Sequence, residues 1–155
     1  MSYAAGTDVP VDRSKVEIER TLTRFGADSF GYAVRQGTAH VVFEIEGRQV
    51  RFTLPLPDRN ADVFNVTPKS NRRRAPDAAE KAWEQACRER WRALAAVIKA
   101  KLVAVEAGIS TVEQEFLAWV ALPDGSTVGE NIGPAIDQAY TTGRVKPLLA
   151  IGSGR

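Results

Sequence analysis

Between residues 29 and 56, large apolar side chains recur at every second position. Phe30, Tyr32 and Val34 alternate with Gly31, Ala33 and Arg35; Val41, Phe43 and Ile45 alternate with Val42 and Glu44; Val50, Phe52, Leu54 and Leu56 alternate with Arg51 and Thr53. A period of two is that of a strand with one buried face. Gly37-Thr38 and Glu46-Gly47 fall where two-residue turns are needed. The spacing therefore predicts three antiparallel strands, at about 29–36, 39–45 and 48–56. A turn at Gly37-Thr38 pairs Val34 with Val41, Tyr32 with Phe43 and Phe30 with Ile45; one at Glu46-Gly47 pairs Phe43 with Val50 and Val41 with Phe52. Both registers gather the large apolar residues on one face, and a slip of one residue would mix the faces. The opposite face, with Gly31, Ala33, Arg35, His40, Val42, Glu44, Gln49, Arg51 and Thr53, is polar. It is either a solvated face or a contact surface.

The pattern changes to a helical period on both sides of the strands. Ser14-Lys-Val-Glu17 has the capping-box form, Ile18, Leu22 and Phe25 share one helical face, and Gly26 can end the helix. A first helix is expected at about 14–25, after an extended lead-in over 1–12. Pro76 opens a much longer helix, with Asp77 and Glu80 near its positive end. Trp83, Cys87, Trp91, Leu94, Ile98, Leu102 and Val105 recur at spacings of three and four, and Gly108 closes it. That stripe runs for about 33 Å at 1.5 Å per residue, longer than a short sheet can cover. Glu84 with Arg88, and Glu89 with Arg92, are placed to pair on the wet side. Trp83 and Trp91 lie on the stripe and are core residues, or anchors of an interface if the chain oligomerises. Ser110-Thr-Val-Glu113 and Thr127-Val-Gly-Glu130 predict two further helices, the first anchored by Phe116, Trp119 and Val120, the second by Val128, Ile132, Ile136 and Tyr140. Gly143 ends the last one.

The expected architecture is α+β. An α-β-β-β-α core over 13–107 has a three-stranded antiparallel meander packed on the long helix, and two C-terminal helices over 108–143 pack on that helix's far end. The tail over 144–155 is loose. At 155 residues this is a single domain. Apolar residues make up 44 % and charged residues 26 %, which suits a folded chain. The N-terminus lacks a basic region followed by an apolar core, so no signal peptide is expected. No apolar run approaches the roughly 18 residues of a membrane span. Cys87 is the only cysteine, so no disulfide can form within the chain and no cysteine-based metal cage is available.

Catalytic chemistry has little to stand on. His40 and Cys87 fall in different elements, Cys87 lies on the apolar stripe, and the carboxylates sit mostly at caps or in helical pairs. No glycine-rich phosphate loop, HExxH pair or GxSxG elbow is present. Neither an enzyme nor a cofactor is expected. The net charge of +2 implies no partner, but its distribution is uneven. Lys69, Arg72, Arg73 and Arg74 lie within six residues, in the polar loop that leads to Pro76. Four cations before a helix N-terminus suit a phosphate, which meets free N–H groups, the helix dipole and paired guanidinium donors. Asp77 and Glu80 work against this, and a solvated loop is the plainer alternative. Arg35 and Arg51 on the open sheet face, with Arg88 and Arg92 on the long helix, could extend the cluster into a track. Stacking aromatics are missing from that face, so contacts to DNA or RNA would be to phosphates rather than bases.

Pro10-Val-Asp-Arg-Ser-Lys, Leu54-Pro-Leu-Pro, the helical segment from Trp91 to Leu102 and the segment from Phe116 to Glu130 together resemble a family of small proteins encoded by tailed bacteriophages and prophages. The resemblance implies a phage origin and the cytoplasm of a bacterial host, and it carries no catalytic or binding residue over to this chain. The order helix, meander, long helix also resembles, in topology alone, the double-stranded-RNA-binding domain and the core of phage strand-annealing recombinases. The expected function is non-enzymatic nucleic-acid binding, as a single-strand binder or annealer. The alternative is a protein-interaction module that inhibits a host defence system or enzyme. Homo-oligomers are compatible with either.

Overall fold

Two helix ends show how directly local chemistry sets the frame. After Arg24, Gly26 adopts φ 87°, its N–H reaches the Thr23 carbonyl, and the Ala27 N–H reaches back to Leu22 at 2.9 Å. After Glu106, Gly108 at φ 72° repeats the arrangement, with Ile109 bonded to Ala104. Both are Schellman closures, which need a residue in the left-handed region. They end α1 (Val11–Arg24) and α3 (Pro76–Glu106) and turn the chain back toward the core.

The computed structural model describes residues 2–147. Between α1 and α3 lie β1 (Ser29–Arg35), β2 (Thr38–Ile45), β3 (Arg48–Pro55) and a one-turn helix α2 (Asp62–Asn65). After α3 come α4 (Val112–Phe116), a 3-10 turn (Leu117–Trp119) and α5 (Val128–Thr142). The strands form one antiparallel sheet in the order β1-β2-β3. The fold is α+β, as the pattern predicts. The expected loose tail lies largely outside the described residues. No helix among those described is long and apolar enough to cross a membrane.

One continuous core joins the inner sheet face to the helices. Val41, Phe43, Ile45, Val50 and Phe52 meet Ile18 and Leu22 of α1, Trp91, Leu94, Ile98 and Leu102 of α3, and Val112 and Phe116 of α4. Phe116 is fully buried and meets Phe43 and Phe52 edge-on, with ring centroids 5.5 and 6.0 Å apart. Trp119 stacks on Phe52 at 4.7 Å. Such aromatic pairs add specific geometry to the area they bury.

Five expectations need correction. First, α1 begins at Val11 behind Pro10, with no side-chain cap, so Ser14-to-Glu17 is not a capping box. Ser14 is inside the helix, fully buried, and its Oγ has no hydrogen-bond partner. The lead-in is not extended either. Residues 3–6 form a turn docked on α3, with Gly6 donating to Glu89 and Gln85 donating to the Thr7 carbonyl. Second, the β2–β3 register is as expected, but the β1–β2 turn sits at Gln36-Gly37. Phe30 therefore faces Phe43, and Tyr32 faces Val41. Gln36 at φ 49° and Gly37 at φ 74° give the turn its two left-handed residues. The change moves the register by two, which keeps every side chain on its face.

Third, the capping box before α4 starts one residue later, at Thr111 with Gln114, while the box of Thr127 and Glu130 forms as expected. Fourth, α5 rests on the 3-10 turn rather than on the far end of α3. Gly129 makes the approach possible, since a Cβ there would stand 2.8 Å from the Ala118 carbonyl oxygen. The C-terminal half of the α5 apolar stripe is uncovered: Ile136 is exposed and Tyr140 is 88 % exposed, whereas Val128 is buried. Fifth, the surface pairs on α3 are different. Arg88 binds Gln85, and Arg92 crosses to Glu17 of α1.

Candidate nucleic-acid interface

The loop expected over 57–75 is folded into a small structure of its own. Asp58 accepts from the Asn60 N–H, the turn that starts α2. The Asn65 amide donates to the carbonyls of Arg59 and Ala61, drawing the loop onto α2. Val66 then bridges Arg73 in antiparallel fashion. Inside that bridge the Thr67 N–H and hydroxyl both reach the Arg72 carbonyl, Thr67 and Ser70 hydroxyls meet at 2.7 Å, and Asn71 takes φ 50°. The result is a tight projection with Lys69 near its tip and Arg72, Arg73 and Arg74 on its return. The Arg74 N–H, bonded to Asn65 at 2.7 Å, anchors the return at the start of α3.

The start of α3 is open. Its N-cap is Ala75, which offers no side chain to the first turn, and Pro76 follows at the first helical position. The N–H groups of Asp77 and Ala78 belong to the set that a helix leaves without internal partners. A cleft of about 420 Å³ lies here, lined by Arg59, Asn60, Asn65, Arg73, Arg74, Pro76, Ala79 and Glu80. Three of these side chains are cationic and one is anionic. The anion, Glu80, is held by Arg59, whose guanidinium also lies over the Trp83 ring at 5.2 Å. Trp83 donates to the Pro57 carbonyl at 2.8 Å and so fixes the strand exit against α3. Among the described residues no ion pair engages Lys69, Arg72, Arg73 or Arg74.

The structure brings four of the eight expected residues together and distributes the others. Arg35 is exposed at the end of β1. Arg51 donates to the Gly125 carbonyl at 2.7 Å and faces Glu130 at 3.5 Å, tying the sheet to the turn before α5. Arg92 is engaged by Glu17, which holds its guanidinium above its ordinary value through that hydrogen bond. Arg88 lines a separate apolar cleft with Val11, Val34, Leu56, Trp83, Cys87 and Trp91. Arg51 and Arg92 are therefore internal braces, and the cations do not form one continuous track. Arg59, Asn60 and Asn65 were not foreseen at the site. Arg59 stands ten residues before the cluster with no helical or strand periodicity to relate it, so only the fold of the loop brings it in.

The remaining reactive groups are dispersed. Burial pushes the Cys87 thiol up, Glu84 adds to this, and Arg88 opposes it. Among the described residues no three histidine, cysteine or acidic side chains converge as they would around a metal ion. What the cleft can do chemically is hold an anion: the guanidinium groups of Arg73 and Arg74 and the Asn60 amide line it next to a helix start, while both N–H groups of Asn65 are spent on the loop itself. Comparison with protein-family models, curated proteins and solved structures gives no match.

Proposed function

We propose that this chain is a non-enzymatic nucleic-acid-binding protein of phage DNA metabolism, which holds the phosphates of a single strand at the start of α3 and so coats or anneals it. One observation carries the reading. Lys69, Arg72, Arg73 and Arg74 take part in no ion pair among the described residues, and Arg73 and Arg74 open onto a cleft at an uncapped helix start. Contacts of this kind position a backbone and do not read bases. No aromatic ring is among the residues that line the cleft, so it offers nothing to stack a base. Binding should therefore be tolerant of sequence. The test is a mobility-shift titration with single- and double-stranded DNA and RNA at two salt concentrations. Replacing Arg72, Arg73 and Arg74 by alanine should weaken binding alike on every sequence. Binding that is absent, or indifferent to salt, removes the proposal.

A second reading has its own observation. The uncovered stripe of α5, with Ile136 and Tyr140, suits a protein-interaction module that inhibits a host defence system or enzyme. It predicts a discrete complex with a host protein that Tyr140→Ala weakens and the arginine replacements leave intact.

A further inference from the structure

The sheet has two edges, and only one is closed. Beyond β3, Val120 bridges Val50, and the Ala121 N–H reaches the Gln49 carbonyl at 2.8 Å. The outer edge of β1 has no such neighbour among the described residues. Exposed edges are usually guarded by lysine, proline, a bulge or extreme shortness. Ser29–Arg35 has no lysine or proline, and its pairing with β2 is unbroken over all seven residues. On its inner face Tyr32 is 50 % and Val34 58 % exposed, although their alternation is that of core residues.

The hairpin determines which backbone groups face outward. A two-residue turn is closed by a hydrogen-bonded pair, here Arg35 with Thr38, and such pairs then alternate: Ala33 with His40, Gly31 with Val42, Ser29 with Glu44. Phe30, Tyr32 and Val34 consequently direct their N–H and C=O groups to the open side.

We propose that β1 pairs with β1 of a second copy of this chain, antiparallel and centred on Tyr32, so that two sheets become one. Full overlap of the strands occurs only in that register. The outward groups of Phe30, Tyr32 and Val34 then meet one another in about six backbone hydrogen bonds. The register also keeps the inner faces on one side and sets Phe30 of the partner subunit across from Val34. Val34 lines an apolar cleft of about 360 Å³ with Leu56, Trp83, Cys87 and Trp91, so the incoming ring covers its mouth. Charge selects the same orientation. Asp28 precedes the strand and Arg35 ends it, and no ion pair among the described residues engages either. Antiparallel pairing sets each Arg35 opposite Ser29 of the partner subunit, one residue from Asp28, whereas parallel pairing would set Arg35 beside Arg35.

Sedimentation equilibrium of the full chain tests this. The wild type is expected at twice the chain mass. Tyr32→Pro removes one outward N–H and no bond to β2, the edge position where proline is tolerated. It should sediment at the chain mass with its circular dichroism retained. Val34→Lys should do the same, and it decides the matter if Tyr32→Pro fails to fold. Arg35→Asp should weaken association a few-fold by bringing a second acidic residue near Asp28 of the partner subunit, and adding Asp28→Arg should restore it. A wild type at the chain mass at every concentration overturns the proposal. So does a dimer that survives Val34→Lys, or one indifferent to the charge exchange.

Discussion

Replacing Ser14 by alanine has an effect whose sign depends on where α1 begins. If Ser14 capped the helix, losing its hydroxyl would cost about 1 kcal/mol. In the structure Ser14 lies one turn inside α1, is fully buried, and its Oγ has no partner. Three terms then apply. Alanine is the better helix former by about 0.5 kcal/mol. A buried hydroxyl without a partner carries a desolvation cost of about 1–3 kcal/mol, which the substitution removes. Against these, the dispersion contacts of one atom are lost, at about 0.1–0.2 kcal/mol for each pair. The net expectation is a gain of about 1 kcal/mol, which raises Tm by roughly 2–4 °C in a chain of this length. Urea unfolding at 25 °C, followed by tryptophan fluorescence, measures it directly. The midpoint should rise with the slope unchanged. A loss of about 1 kcal/mol at unchanged slope would refute the placement of Ser14 and restore the capping reading.

Other perturbations give equally definite expectations. Phe116→Ala empties a fully buried site between Phe43 and Phe52 and should cost about 3–5 kcal/mol in urea unfolding. A cost below about 1 kcal/mol would mean α4 is not docked on the sheet. The folded state raises the Cys87 thiol from its ordinary value of 9.0, chiefly by burial. The stability linked to that proton is therefore complete below 9.0 and is lost as pH rises through the folded value. The urea midpoint should fall on that side alone, and at pH 8 a thiol reagent should label native chain far more slowly than unfolded chain. Arg59→Ala removes the partner of Glu80 and one guanidinium from the cleft. It should weaken phosphate-backbone binding on the order of tenfold while leaving the fold intact, as equilibrium titration and circular dichroism can check.

Much of this fold is written locally. Pro76, the stripe from Trp83 to Val105 and Gly108 specify α3 with little help from the rest of the chain, because a proline start, one apolar face and a left-handed stop agree. The β2–β3 register is legible for the same reason, with Glu46-Gly47 at the turn. The β1–β2 register is not. A shift by two leaves every residue on its own face, so alternation gives no sign of it, and glutamine is not a residue type that marks a left-handed position. Ser14 and Glu17 imitate a cap because the motif depends only on spacing, whereas the real boundary behind Pro10 uses no side chain. Periodicity identifies an apolar face and does not say what covers it, which is why Tyr32, Val34 and Tyr140 read as core and stand exposed. Of the candidate site, the cluster from Lys69 to Arg74 was visible as charge density. Its connection to Arg59 and Asn65 depends on the fold of the loop, and the separate duties of Arg51 and Arg92 depend on partners 79 and 75 residues away.

The most direct measurement is the salt dependence of single-strand binding by the wild type and by the chain with Arg72, Arg73 and Arg74 replaced by alanine. If Lys69 and the three arginines each neutralise a phosphate, log K should fall against log salt with a slope of about −3, at roughly 0.7 per contact. The triple replacement should flatten that slope by about 2 and weaken binding equally on unrelated sequences. A slope that the replacements leave unchanged, or binding that no salt concentration alters, would contradict a phosphate site at the start of α3.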